Sequence, residues 1–131
     1  MKRDAFSMIE LIFVIIIIGI LAAVSLPKFM KVTDNAESTK CKAFIGTLNR
    51  TVSHSIWSEA LMEDRENLAT SVTEQSLSSQ IEFPAVCGSA AEYASAATEH
   101  SSFIVTIAEH DYNVSGFTPT ETTPAKWKWS K

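Results

Sequence analysis

Glu10 stands at the head of a run that carries no charge from Leu11 to Pro27, and its type and place demand a chemical role. Inside hydrocarbon a charged side chain costs on the order of 3 kcal/mol. No Lys, Arg or His follows within the next turns, so a partner for this carboxylate must come from outside its own helix. The other reactive pair is Cys41 and Cys87, the two cysteines of the chain. An oxidising compartment permits a disulfide between them. The closed loop would stabilise a small fold by roughly 4 kcal/mol in the chain-entropy model. Two unpaired buried thiols are the competing reading. Neither cysteine has a second Cys or a His at the spacing of zinc ligands.

The remaining polar residues are scattered. His54, His100 and His110 are isolated from one another, and His54, between Ser53 and Ser55, reads as exposed on a helix. Glu63, Asp64 and Glu66 form one acidic cluster, and Glu109, Asp111 and Glu121 are the acids nearer the end of the chain. Neither set has the composition of a strong metal site, so no metal is assigned, with weak calcium binding as the minority reading. Asp111-Tyr112-Asn113-Val114-Ser115 holds an acceptor pattern for an N-linked glycan with an acid two residues ahead. Asn113 is therefore a candidate modification site, with turn chemistry as the competing role for Asp111 and Asn113. Asn49-Arg50-Thr51 has the shorter form within a helical stretch. There is no glycine-rich phosphate loop, no zinc-protease His pair and no nucleophile elbow. The sequence predicts neither an enzyme nor a cofactor.

Holding Glu10 in place requires a helix that can enter a membrane. The uncharged run approaches the lower bound of about 17–25 residues for a spanning helix and exceeds the usual core of a secretory signal. A plain anchor would span equally well, but it would not require Glu10. Beyond Pro27 the apolar residues become periodic: Phe29, Val32 and Ala36, then Phe44, Leu48, Val52, Ile56 and Ala60. Steps of three and four place them on one helical face. The spacing predicts a single helix from Phe6 to about Met62, with a bend or local melting at Pro27, whose ring crowds the carbonyl of Ala23. Gly19 is a second weak point.

Glu63 to Asn67 is too polar to continue that helix. A short second helix is expected between Leu68 and Leu77, and Ile81-Glu82-Phe83 is either a short edge strand or an extended connection before Pro84. Gly88 to His100 reads as a loop or a weak helical turn. Ser102 to Ala108 is the best strand, with Phe103, Val105 and Ile107 on one face. Glu109-His110-Asp111 is expected to turn the chain and Tyr112 to Phe117 to return it. Thr118 to Pro124 reads as an extended linker, and Lys126-Trp127-Lys128-Trp129 as a strand with both indoles on one face. The expected fold class is α+β: a long N-terminal helix, half transmembrane and half amphipathic, packed against a small antiparallel β-sheet. The expected organisation is a membrane or core helix over residues 6–30, an amphipathic half over 31–62 and a globular head over 63–131.

The net charge of −4 is unevenly spread. Lys28, Lys31, Lys40, Lys42 and Arg50 outweigh Asp34 and Glu37, whereas from Thr51 to Ala125 Arg65 stands alone against many acids. The basic stretch suits anionic head groups or acidic neighbouring subunits, and the acidic stretch disfavours direct nucleic acid binding.

The stretch from Phe6 to Pro27 resembles the N-terminus of type IV pilins and type II secretion pseudopilins. Their precursors carry a short basic leader, a Phe at the cut and a Glu at the fifth mature position. The resemblance implies that residues 1–5 are a leader, that prepilin peptidase cuts between Ala5 and Phe6, and that the new Phe6 amine is methylated. It implies that Glu10 meets that amine on a neighbouring subunit, and that Gly19 and Pro27 loosen the helix within a filament. Ala5 departs from the family's usual Gly by one methyl group. The implied function is a structural subunit of a type IV pilus or type II secretion pseudopilus, forming a homo- or heteropolymer and served by prepilin peptidase and an inner-membrane assembly platform. Its implied place is the inner membrane, single-pass with a periplasmic head, and then an extracytoplasmic filament. A pseudopilin or minor pilin suits the short chain and the long segment after Cys87 better than a major pilin does. The alternative is a single-pass membrane-anchored periplasmic binding or interaction protein that does not polymerise.

Overall fold

The computed structural model describes residues 7–63 and 65–131; the implied leader, Ala5 and Phe6, and also Asp64, lie outside them. The chain divides into two compact units, Met1–Ala36 and Glu37–Lys131. What is described of the first unit is helix from Met8 onward, the opening part of α1 (Met8–Thr47). That helix continues through both Gly19 and Pro27, so the local melting expected at Pro27 is absent. A proline removes one backbone bond, and the bonds on either side suffice to hold this apolar helix.

In the second unit the last turns of α1 lead into a π-helical turn, Leu48–Val52, and then α2 (Ser53–Glu63). Cys41, Phe44, Ile45, Leu48, Val52, Ile56 and Ala60 are buried, whereas Phe29 and Val32 are exposed. The expected stripe is thus core only from Cys41 onward. From Phe44 to Ala60 it advances in steps of four. Each such step overshoots an α-helical turn by about 40°, and four of them would carry Ala60 about 160° around the helix, to the solvent side. The wider π turn absorbs one residue, about 100° of that drift, and keeps the stripe facing inward.

A 3₁₀ turn at Leu68–Ser71 and α3 (Glu74–Ser78) follow, so the single second helix expected there is two short pieces. Thr73 and Ser76 cap α3 reciprocally. Ile81 to Phe83 joins no sheet. The 3₁₀ turn Ala85–Cys87 brings Cys87 to Cys41, and the two form a disulfide with Cα atoms 5.2 Å apart. Gly88 then takes φ 96°, a conformation that favours glycine.

The stretch expected to be a loop or a weak helical turn is a full helix, α4 (Ala90–Glu99). Ser89 accepts from the Glu92 amide while Glu92 Oε2 accepts from the Ser89 amide at 2.7 Å, a capping box. His100 ends α4 in the left-handed region.

The sheet is β1 (Ser102–Ile107), β2 (His110–Phe117) and β3 (Lys126–Ser130), antiparallel in sequence order. Val105 pairs with Tyr112, Val114 with Trp129 and Gly116 with Trp127. The β1–β2 turn is Ala108-Glu109, one residue earlier than expected, and both residues have positive φ, 49° and 64°. That is the geometry of a two-residue type I′ hairpin. Trp127 is buried and Trp129 stacks on Tyr112, so both indoles lie on the inner face.

The segment expected to be an extended linker, and the residues that follow it, are held to the long helix. Trp57 Nε1 donates to Thr120 O at 2.8 Å, Ser53 Oγ donates to Ala125 O, and the Asn49 carboxamide both donates to Trp127 O and accepts from Trp127 N, each at 2.8 Å. Asn49, Ser53 and Trp57 again step by four across the π turn. Asn49 acts on the outer edge of β3 as a neighbouring strand would.

Tyr93 is the hub of the core. Its ring meets those of Phe103 at 4.9 Å, Phe83 at 5.4 Å, and Phe44 and Trp127 at 6.0 Å. Its hydroxyl donates to Cys87 O at 3.0 Å and its carbonyl accepts from Trp127 Nε1 at 2.9 Å. Burial, with a smaller contribution from Glu92, raises the phenol pKa and keeps it a neutral donor.

α4 lies against the sheet so closely that a Cβ on Gly116 would stand 2.2 Å from the Ala96 carbonyl carbon. Gly116→Ala must therefore push α4 off β2. The expected cost is about 3 kcal/mol, read as a lower urea midpoint; an unchanged midpoint would show that the helix and strand are not in this contact.

Candidate functional site

Four successive isoleucines in α1, Ile15 to Ile18, are 58%, 54%, 40% and 59% exposed. Successive residues are about 100° apart, so four of them face every side of the helix. Met8, Ile9, Leu11, Phe13, Leu21 and Leu26 are likewise exposed. A helix that is apolar all round belongs in lipid or among other helices. α1 and its continuation contain a stretch long and apolar enough to cross a membrane by length and composition.

Hydroxyls within and just beyond the apolar stretch are satisfied locally. Ser25 Oγ donates to Leu21 O at 2.7 Å and Thr33 Oγ1 to Phe29 O at 3.1 Å. Glu10 lies in the first turn of α1, where its amide donates to Ser7 O at 3.0 Å. At about −0.5 kcal/mol each, the apolar side chains from Ile9 to Leu26 contribute about −6 kcal/mol to insertion, against about +3 kcal/mol for the carboxylate. The apolar residues win, and the helix tolerates Glu10. Around Gly19 nothing lies within 4 Å of where a side chain would begin.

The other residues singled out in the sequence do not converge. His100 packs on Phe117 with ring centroids 5.1 Å apart. His110 begins β2 beside the hairpin turn, so the two lie at opposite ends of the β1–β2 pair. Asp111 accepts a 2.7 Å hydrogen bond from its cross-strand partner Thr106. Asn113 is exposed on the central strand, between Ile104 and Ser130, rather than in the turn that was the competing role. Asn49, by contrast, spends its carboxamide on β3. Among the described residues no group of three or more His, Cys, Asp or Glu is placed to hold a metal ion.

Sequence reasoning missed the structural role of Asn49. The Asn-x-x-x-Ser-x-x-x-Trp spacing from Asn49 to Trp57, a polar row beside an apolar one, is the signal that marks it.

Over 43 residues the chain is 44% identical to the type IV narrow pilus major component PilA5 of Thermus thermophilus. The match takes in 33% of this chain and 37% of that protein, about a third of its length. No protein-family model and no solved structure matches the chain.

The insertion balance gives a direct check. Ile16→Lys with Ile17→Lys adds about 5–7 kcal/mol at the centre of the span, enough to reverse its sign. The unaltered chain is expected in the membrane pellet after alkaline extraction and the double variant in the supernatant; an unextracted double variant would contradict the balance.

Proposed function

We propose that this chain is a structural subunit of a type IV pilus or type II secretion pseudopilus, assembled through the apolar part of α1. The observation that carries the reading is an apolar surface exposed on every side of a helix and bearing one carboxylate near its start. The similarity to a type IV pilus component supports it. Lipid covers such a surface before assembly, and the same helices of neighbouring subunits cover it afterwards.

In this reading prepilin peptidase removes residues 1–5 and exposes the amine of Phe6, which is methylated. Glu10 of one subunit then pairs with the Phe6 amine of the next. In low dielectric an unpaired charge is costly and a paired one much less so, so the contact selects the register in which every carboxylate has a partner. Gly19 and Pro27 mark the stretch where α1 loosens when helices crowd into a filament. The subunit starts in the inner membrane with its head in the periplasm and leaves through the assembly platform.

Glu10→Ala removes the register contact while making insertion easier. The variant is expected in the membrane at normal amounts, with sheared filaments reduced at least about tenfold, as for loss of a buried charge pair. Filament yield equal to that of the unaltered chain would sink the reading.

A further inference from the structure

We propose that the outer face of the three-stranded sheet docks a second copy of this chain, which seats on it through the acid-lined groove between α2 and α3. The proposal rests on the filament reading and specifies which head surfaces meet.

The inner face of the sheet is covered by α4 and the core, but its outer face is open. Ile104 is 64% and Phe117 40% exposed there. Lys126 and Lys128 of β3 share that face, paired in register with Phe117 and Ser115, and both are exposed. The acid of this face, Asp111, already accepts from Thr106. What the sheet offers a partner is apolar surface edged by two cations.

The complementary surface is built from other elements. That helix touches all three strands, and it also touches α3 and the Leu68–Ser71 turn. Beyond these elements an open cavity of about 360 Å³ runs between α2 and α3. Glu59 and Glu63 edge it, Ile56 and Ala60 form its apolar part, and Ser76 and Gln80 contribute polar groups from the other wall. A lysine suits such a groove, with its methylene stem on the apolar part and its ammonium at the carboxylates.

Two unlike patches built from different elements of one unit form a heterologous contact, which repeats head to tail rather than closing on a two-fold axis. Exposed ion pairs are individually weak. Their effect here is to choose the neighbour and its register, while the apolar helices hold the polymer together.

The test uses the full chain in cells. Lys126→Glu with Lys128→Glu, and separately Glu59→Lys with Glu63→Lys, are each expected to cut sheared filament yield about fivefold. Combining all four reversals is expected to restore it to within about twofold. A second readout does not depend on filaments: Lys128→Cys together with Glu63→Cys should give disulfide-linked oligomers that neither single variant gives, with Cys41–Cys87 intact in all. Full yield from the two reversed pairs, failure of the combined variant to recover, or absence of linked oligomers would overturn the proposal. Loss confined to the lysine reversals would also overturn it and assign the sheet face to anionic lipid. If the unaltered chain makes no filaments, the filament reading fails, and the cross-link alone decides the docking.

Discussion

Apolar surface on every side of the first part of α1 is the constraint from which the rest follows. Water is excluded as its surroundings, because each large side chain there gains about 1.5–3 kcal/mol on leaving it. Lipid and like helices satisfy that demand almost equally well, so hydrophobicity alone gives no reason to choose between them. In the proposed filament Glu10 breaks the tie: lipid offers a carboxylate nothing, whereas a neighbouring subunit with a free amine would offer it a counter-charge. On that proposal one unfavourable group gives an otherwise indifferent apolar surface a preferred partner and register.

The proposed role calls for a head of fixed shape, and the second unit has the ties for one. The disulfide ties the last turns of α1 to the segment that enters α4, where Tyr93 collects four aromatic rings and two hydrogen bonds. Gly116 lets α4 lie against β2 at backbone distance. Asn49, Ser53 and Trp57 fasten the C-terminal segment to the long helix. The disulfide and the bonds from the long helix join elements distant in sequence, so small elements that would be marginal alone are fixed in one arrangement.

Much of this was legible in the residues because the signals were periodic. The long helix, the three strands and the facing of both β3 indoles follow from steps of four and of two. The π turn was also encoded, since an unbroken row of four-residue steps from Phe44 to Ala60 cannot stay on one face of a regular α-helix. α4 was read as no more than a loop or a weak helical turn because its Ala and Ser residues carry little amphipathic pattern, although Ser89-x-x-Glu92 is a capping signature. The hairpin turn was displaced because Ala108 and Glu109 are poor formers of positive φ, and pairing across β1 and β2 imposes it on them. The tethered segment from Thr118 to Pro124 looked like a linker because its anchors lie in the distant helix. At the candidate site, the exposure of the apolar helix was readable from composition, while the groove and the sheet face depend on contacts among elements remote in the chain.

The central claim is that Glu10 acquires its partner when a new amine is made at Phe6. N-terminal sequencing of the chain recovered from cell membranes and from sheared filaments tests it most directly. The account predicts a mature chain that begins at Phe6 and carries a methylated amine. A chain that retains Met1 to Ala5 in both fractions would contradict it and leave a plain membrane anchor.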